Sequence, residues 1–158
     1  MGSLIGQCVE TLTRRSVTTI LKMGHIPAHV AFIMDGNRRF AERKNMESAQ
    51  GHAHGYSRLL KALEWCLELG IVCVSVYAFS IDNYKRSKEE IDLLMELMES
   101  KLCSLLEDEV LLKKHDVRVQ VIGNLTLAPP GVQLAAMRIM AATRERKRSI
   151  LNICFSYS

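Results

Sequence analysis

The chain has 158 residues, of which 48% are hydrophobic and 24% are charged, and its formal net charge is +4. This composition excludes a long disordered chain and supplies enough apolar side chains for one domain with a core. The mild positive charge suits an anionic small ligand or a membrane surface as well as nucleic acid. The five cysteines include no C-x-x-C pair, which favours free thiols in a reducing compartment over disulfides or zinc.

The first segment, residues 4–22, places apolar side chains at rough helical spacing beside several basic residues and one acid, Glu10. This pattern predicts an amphipathic helix within residues 1–24. The helix either lies on an anionic membrane surface or packs on its own domain, and the pattern leaves both open. Gly24 and Pro27 end the helical pattern. No apolar run reaches the roughly 20 residues of a membrane span, and no secretory signal is expected.

From residue 25 onwards, strands are predicted to alternate with helices. The predicted strands are residues 28–34, 71–79, 117–122 and 149–156, and the predicted helices are residues 53–69, 87–109 and 131–146. This order predicts an α/β fold in which a parallel β-sheet is flanked by helices.

Local signals refine these elements. Gly70 is a natural end for the first of these helices, and Ser87 and Glu90 have the spacing of a capping box. The run 71–79 is apolar on both faces, which predicts a strand covered on both sides. The last strand, 149–156, is strongly apolar and no helix follows it. We therefore expect another chain or a further segment to cover it.

Two of the predicted strands end in polar segments, DGNRR at 35–39 and SIDNYKR at 80–86. Ligands of open parallel sheets bind beyond the carboxyl ends of the strands, so the two segments face one pocket if their strands are neighbours.

The first polar segment has the groups that a diphosphate with magnesium requires. Asp35 is a hard oxygen ligand suited to Mg²⁺, and Gly36 allows close approach of the backbone. Asn37 can donate to an oxyanion, and the guanidiniums of Arg38 and Arg39 can pair with phosphate. Ordinary turn chemistry also explains an Asp-Gly-Asn sequence taken alone.

Other phosphate or metal sites fit less well. The sequence contains neither a P-loop nor a G-x-G-x-x-G turn. A phosphatase with paired carboxylates would need an acid at Asn37, so a Mg²⁺-dependent phosphohydrolase is a weak third hypothesis. His52 and His54 lack acidic or thiol partners at zinc-ligand spacing, and hydrogen bonding to an anion suits them better. The basic run 144–148 is typical of a solvated helix end, and the absence of interleaved aromatic residues disfavours nucleic acid.

Five stretches resemble, in order and spacing, the cis-prenyltransferases of the undecaprenyl diphosphate synthase family: HVAFIMDGNRRFAE, GHAHGY, VYAFSIDNYKRSKEEI, VRVQVIGN and LNICFSY. The resemblance covers residues 25–158 and is strongest to the eukaryotic and plant dehydrodolichyl branch. It implies that residues 25–158 are the N-terminal part of a catalytic domain. Such a domain condenses isopentenyl diphosphate onto an allylic diphosphate, with Mg²⁺, to make long-chain polyprenyl diphosphates.

The resemblance also implies site residues. Asp35 is expected to be catalytic and to act through the metal, and Asn83 is expected to assist proton removal. The expected substrate-binding residues are Gly36, Asn37, Arg38, Arg39, Phe40, His52, Ser80, Ile81, Asp82, Tyr84 and Arg86. Two departures from the family pattern stand out. Ser48 occupies a position where many members have a substrate-contacting arginine, and the later Arg-x-[ST]-Gly-Glu segment that binds isopentenyl diphosphate is not within these residues.

The expected partners follow from the same resemblance. They are a farnesyl-like allylic diphosphate, isopentenyl diphosphate, and either a second copy of the chain or an accessory prenyltransferase-like subunit. A peripheral membrane contact is also expected, either from the cytosol or on the cytoplasmic side of the endoplasmic reticulum. The alternative is a shortened, non-catalytic or partner-binding chain. The apolar residues of helix 91–106 could line a channel for the growing product, although ordinary core packing explains them equally well.

Overall fold

A computed structural model of the protein describes residues 13–108, 112 and 115–158, apart from the side chains of Ser48 and Ala49. Its strands are β1 (His29–Ile33), β2 (Cys73–Ser80), β3 (Val117–Ile122) and β4 (Ser149–Tyr157). All neighbouring strands are parallel, and their order in the sheet is β1-β2-β4-β3. The predicted parallel sheet is confirmed, and the strands that carry the two polar segments are neighbours.

The described helices flank this sheet. They are α1 (described over residues 13–22), α2 (Asn37–Arg43), α3 (Ser48–Leu69), α4 (Lys88–Glu107) and α5 (Pro130–Ala142), with short 3-10 helices at Ile81–Lys85 and Leu125–Leu127. Residues 1–12 of the predicted N-terminal helix lie outside the described part of the chain. Within the described residues, no helix combines the length and the apolar character that crossing a membrane requires.

The core lies between one face of the sheet and helices α3, α4 and α5. Its strand residues alternate along β2, β3 and β4, and they pack against apolar side chains of the three helices. Full burial of each aliphatic side chain contributes about 1.5–3 kcal/mol. The last strand, β4, lies between β2 and β3. The expectation that it lacks cover is therefore wrong for its core-facing side, because helices of the same chain cover that side.

The opposite face of β2 is less covered than predicted. Val74 and Val76 are buried, whereas Cys73, Ser75 and Tyr77 are only half-buried. Ser75 carries a polar group on this face, where its hydroxyl lies 2.8 Å from His29 Nε2. The prediction of a strand covered on both sides is wrong for the described residues, because the apolar run alternates between a buried row and a half-exposed row.

The end of β2 is irregular next to the second polar segment. The register with β4 shifts between Tyr77 and Phe79. The shift breaks the alternation of side chains, so that Phe79 faces the core while Ala78 is exposed. The pairing of β2 with β4 is therefore irregular just before the 3-10 helix Ile81–Lys85.

The helix ends agree with most of the local signals. Gly70 ends α3 with a positive φ of 88°, as predicted. Ser87 caps α4 by accepting a hydrogen bond from the backbone N–H of Glu90. Helix α5 ends at Ala142, four residues earlier than predicted. There the hydroxyl of the buried Thr143 donates to the Ile139 carbonyl and accepts from the N–H of Val119, which ties the helix end to β3.

Candidate active site

The first polar segment forms the turn between β1 and α2. Gly36 has a φ of 86°, a conformation that glycine adopts without strain, and helix α2 begins at Asn37. The carboxylate of Asp35 accepts a hydrogen bond from the N–H of Gly36 and pairs with Arg39 at 3.0 Å. The Asp35 and Arg39 side chains are 76% and 69% exposed, so a ligand from solvent can reach both.

Helix α3 approaches this turn closely because it carries glycine at two positions one turn apart. A Cβ at Gly51 would lie 2.5 Å from the carbonyl oxygen of Asn37, and a Cβ at Gly55 would overlap the Asn37 side chain. These glycines disfavour a helix in isolation, which explains why its predicted start was residue 53 although it begins at Ser48. The GHAHG stretch therefore places α3 directly against Asn37.

The second polar segment is held by its own hydrogen bonds. Ser80 and Asn83 form a reciprocal capping box, in which the Ser80 hydroxyl accepts from the Asn83 N–H and the Asn83 side-chain oxygen accepts from the Ser80 N–H. Exposed Asp82 pairs with Lys85 at 2.6 Å, and the Lys85 hydrogen bond, followed by its charge, lowers the pKa of Asp82. Asn83 is therefore fixed in place, with its side-chain oxygen already occupied.

Tyr84 is anchored towards the end of β4. Its hydroxyl lies 2.8 Å from the Ser156 hydroxyl, and its ring packs edge-on against Phe79 with ring centroids 4.9 Å apart. Ser156 is buried and has a φ of 51°. Tyr84 thus joins the second polar segment to the neighbouring strand tip, while Ile81 in the same segment remains 40% exposed.

Glu90 links the two polar segments, and the sequence analysis missed this role. Its carboxylate lies 2.7 Å from Arg86 and 3.7 Å from Arg38, and only a fifth of its side chain is exposed. The Ser87–Glu90 spacing had indicated a capping box, in which this carboxylate would turn back to the helix N-terminus. The i, i+4 spacing of Arg86 and Glu90 is the signal that could have indicated the ion pair instead.

His52 lies at the centre of these charges. Its Nε2 atom is buried and has no hydrogen-bond partner among the described residues. Burial lowers the pKa of His52, the positive charges of Arg86 and Arg38 lower it further, and Glu90 opposes them. A neutral imidazole beside two guanidiniums can donate its Nε2 proton to an incoming anion. His54 lies on the exposed side, where its ring is 6.0 Å from Phe40.

An apolar cavity of about 130 Å³ extends from Asn37 and His52 into the core. It lies between the sheet, α3 and α4, and its walls are mostly leucine, methionine and phenylalanine side chains. Leu94 and Leu97 of α4 and Leu59 of α3 are among them. The α4 residues expected to serve as core or channel therefore do both, because Met95 is buried in the core while Leu94 faces the cavity.

The structure brings together a subset of the predicted residues. Asn37, Arg38, His52 and Arg86 surround Glu90 or the cavity mouth, whereas Asp35 and Arg39 form a separate exposed pair. The side chain of Ser48 lies outside the described residues. Within the described chain, no three His, Cys, Asp or Glu side chains are grouped to hold a metal. Mg²⁺ sites can use a single carboxylate together with phosphate oxygens, and Asp35 supplies such a carboxylate.

Comparisons with known proteins give matches along most of the chain. The prenyltransferase family model for undecaprenyl diphosphate synthase matches residues 33–158. The chain is 44% identical to dehydrodolichyl diphosphate synthase 6 of Arabidopsis thaliana, over 100% of this chain and 55% of the relative. It is 45% identical to the human dehydrodolichyl diphosphate synthase complex subunit, over 94% of this chain and 44% of the relative.

A solved structure matches the fold of this chain in three dimensions. Lavandulyl diphosphate synthase from Lavandula x intermedia, in complex with dimethylallyl diphosphate, superposes with a TM-score of 0.78 at 27% identity. The match covers 83% of this chain and 55% of that structure. The chain therefore spans about half the length of the relatives that it matches.

Proposed function

The chain belongs to the undecaprenyl diphosphate synthase family of prenyltransferases, and we propose that it binds an allylic diphosphate at the strand tips and transfers the prenyl group in the synthesis of long-chain polyprenyl diphosphates. One observation carries this proposal. Arg38 and Arg86, which share the Glu90 carboxylate, lie near the half-buried His52, and His52 lines an apolar cavity. An allylic diphosphate has the matching halves, an anionic head and an apolar tail.

Each group has a proposed role in holding the head. Arg38 and Arg86 bind phosphate oxygens in place of the Glu90 carboxylate, and His52 donates its Nε2 proton to the same anion. Asn37 lies between this head group and the cavity, and Gly36 lets the backbone come close. Arg39 binds the anion once it has separated from Asp35.

Asp35 is the proposed magnesium ligand. Once it has separated from Arg39, its carboxylate would be free to hold Mg²⁺. Bound there, Mg²⁺ would neutralise the negative charge that develops on the departing diphosphate. The arginines of the cluster stabilise the same charge through fixed hydrogen bonds, which act strongly because the site is partly shielded from water.

The second polar segment supplies the proposed positioning of the reacting groups. The capping box holds Asn83 with its side-chain oxygen on the Ser80 N–H, so the side-chain NH₂ group is left to face substrate. Ser80, Ile81, Asp82 and Tyr84 are proposed to line the same region, and Phe40 borders the groove next to Asp35. Asn83 is proposed to assist proton removal from the added unit by donating a side-chain N–H to a diphosphate oxygen, which takes up the proton.

The membrane and location assignments are also proposals. Helix α1 packs on α3 through Arg14, which pairs with Glu68 at 2.9 Å. The helix also exposes Val17, Ile20 and Leu21, each at least 48%. An exposed apolar stripe on a basic helix fits a membrane surface, and we propose a peripheral contact at the endoplasmic reticulum for long-chain products.

A second candidate function is a non-catalytic or partner-dependent chain. The observation that favours it is the name of the human relative, which is a subunit of a synthase complex. In that case this chain binds the allylic diphosphate and magnesium, and a second prenyltransferase subunit, identical or accessory, contributes to the binding of isopentenyl diphosphate.

One assay separates the two candidates. The purified chain is incubated with farnesyl diphosphate, labelled isopentenyl diphosphate and Mg²⁺, with Asp35→Ala as the control variant. Long-chain product that depends on Asp35 establishes catalysis by this chain. Mg²⁺-dependent binding of farnesyl diphosphate without product supports the partner-dependent half-site. Absence of both would overturn the proposed function.

A further inference from the structure

Helix α5 is apolar on its exposed side as well as on its buried side. Gln133 and Arg138 are its only residues with polar side chains. The helical repeat places Leu134 and Met137 on the side opposite the core, where they are 45% and 55% exposed. The buried side consists of Val132, Ala135, Ala136 and Ile139. A helix that is apolar on both sides is typically covered on both sides.

An acidic patch lies at the N-terminal end of this exposed side. It belongs to helix α4, which packs against α5 and carries six acids and two bases, a net charge of −4. A Cβ at Gly131 would overlap the Glu99 carboxylate, so this acid lies directly against the first turn of α5. Glu96 lies one turn earlier on α4, and both acids are exposed. Glu96 and Glu99 are called the acidic end below.

A basic patch lies towards the other end of α5. Residues 138–148 contain five bases and one acid, a net charge of +4. Arg138 lies seven residues after Gly131, roughly 10 Å along the axis at about 1.5 Å per residue. Arg144 follows the end of the helix, and both arginines are exposed. Arg138 and Arg144 are called the basic end below.

The charges of these two ends are not neutralised within the described part of the chain. Glu96, Glu99 and Arg138 form no ion pair with any described residue. Arg144 pairs only with the adjacent Glu145, at 3.9 Å, and both side chains are at least 79% exposed. The α5 surface therefore consists of the acidic end, the apolar side chains of Leu134 and Met137, and the basic end, in that order.

This order makes the α5 surface complementary to itself after a rotation of 180°. A two-fold axis between Leu134 and Met137 would bring the apolar residues of two copies together. It would also bring the acidic end of each copy to the basic end of the other. A two-fold interface requires such a self-complementary patch. An anionic membrane fits less well, because it attracts the basic end but repels Glu96 and Glu99.

We propose that the α5 surface binds a second copy of this chain, with the two α5 helices antiparallel about a two-fold axis. Burial of Leu134 and Met137 stabilises the dimer, and the ion pairs between the ends set the orientation of the copies. None of the residues of the surface lines the apolar cavity or the groove beside Asp35. The inference therefore goes beyond the proposed function and does not depend on its chemistry.

The test measures the oligomeric state of the full chain against concentration by sedimentation equilibrium. Met137→Glu places a charge among the apolar residues of the surface. Met23→Glu, at a position that is 84% exposed, and Lys61→Glu, on the exposed side of α3, are the matched controls.

Two further variants reverse the charge of one end each. The acid-reversed chain carries Glu96→Arg and Glu99→Arg, and the base-reversed chain carries Arg138→Glu and Arg144→Glu. Either chain alone places like charges opposite each other in the dimer. An equal mixture of the two chains restores opposite charges at both ends of a mixed dimer.

We expect the unmodified chain and both controls to dimerise with the same constant. Met137→Glu should weaken the dimer about 100-fold, because the buried charge occurs twice in a two-fold interface. Each charge-reversed chain alone should weaken the dimer at least about tenfold. Their mixture should recover the dimer, which a folding defect in either chain would not allow.

Three results would overturn the proposal. The first is an unmodified chain that stays monomeric at every concentration. If such a monomer binds phosphatidylserine vesicles in a Met137-dependent manner, the α5 surface contacts a membrane instead. The second is a dimer that Met137→Glu leaves unchanged, and the third is a mixture of the charge-reversed chains that stays monomeric.

Discussion

The charged cluster at the strand tips and the apolar cavity beneath it are prepared for a ligand in different ways. In the cluster each acid already has a basic partner, since Asp35 pairs with Arg39 and Glu90 pairs with Arg86 and Arg38. A ligand there exchanges one set of ion pairs for another. In the cavity a ligand instead contacts mostly apolar side chains. Binding at the charged cluster should depend on the ligand's charge and on the salt concentration. Binding in the cavity should depend on the length of the ligand's apolar tail.

The largest expected effect comes from removing the proposed metal ligand. Asp35→Ala should weaken the Mg²⁺-dependent binding of farnesyl diphosphate about 100-fold, because the metal is worth several kcal/mol when it neutralises phosphate charge. Calorimetric titration with and without Mg²⁺ measures this. Asp92→Ala, on the exposed side of α4, is the matched control. Equal Mg²⁺ dependence of binding in both variants would show that Asp35 is not the magnesium ligand.

Removal of a guanidinium should weaken the binding of the diphosphate head group and leave the binding of the apolar tail unchanged. Arg86→Ala should reduce the affinity for pyrophosphate and for farnesyl diphosphate by about tenfold, the typical cost of a hydrogen bond to a charged group. The salt dependence should become shallower, while the binding of farnesol should stay the same. Titrations at two salt concentrations give all three results. A loss of farnesol binding of the same size would show that Arg86 supports the fold instead of the anion.

The close approach of α3 to the first polar segment provides a structural test. Gly55→Ala should lower the free energy of unfolding by about 1–3 kcal/mol, because the new Cβ overlaps the Asn37 side chain. Denaturant unfolding measures the change. Gly24→Ala is the control, since its Cβ would find no atom closer than 3.6 Å. Equal stability of the two variants would mean that α3 does not depend on this contact.

The smallest expected effect is on the pH dependence of stability. The pKa of His52 lies below its ordinary value of 6.5 in the folded chain, mainly because of burial. Its contribution to stability is therefore present above about pH 6.5 and is lost as the pH falls through the lower folded pKa. The unfolding free energy of His52→Gln should fall less between pH 7 and pH 5 than that of the unmodified chain. His54→Gln, on the exposed side of α3, is the matched control.

Much of the fold could be predicted because hydrophobic periodicity and helix-end residues act locally. The strand Val117–Ile122 has the predicted bounds, and Gly70 and Ser87 lie at the predicted helix ends. The start of α3 was misplaced because Gly51 and Gly55 weaken a local helical pattern while permitting a tertiary contact with Asn37. The cover of β4 was misjudged because strand order, and not sequence order, decides which strand is internal.

The sequence was sufficient to predict many residues of the candidate site, but not which of their side chains pair with each other. The two polar segments follow predicted strands, so the sequence predicted that Arg38 and Arg86 face one pocket. The sequence did not predict that both pair with Glu90. The Glu90 carboxylate was assigned to helix capping, because Ser87 and Glu90 have that spacing and a sequence does not show which way a side chain turns. Tyr56 and Lys101, which line the cavity, contact each other from two helices that are far apart in the sequence, so no local pattern indicates this contact.

The central claim is that the charged cluster and the apolar cavity bind one molecule. Nuclear magnetic resonance of the chain with labelled histidine and methionine tests this directly during titration with farnesyl diphosphate and Mg²⁺. His52 reports the cluster, and the Met98 methyl group reports the cavity. We predict that both signals shift with one saturation curve, that pyrophosphate shifts His52 alone, and that farnesol shifts Met98. A farnesyl diphosphate titration that shifts His52 and leaves Met98 unchanged would contradict the account.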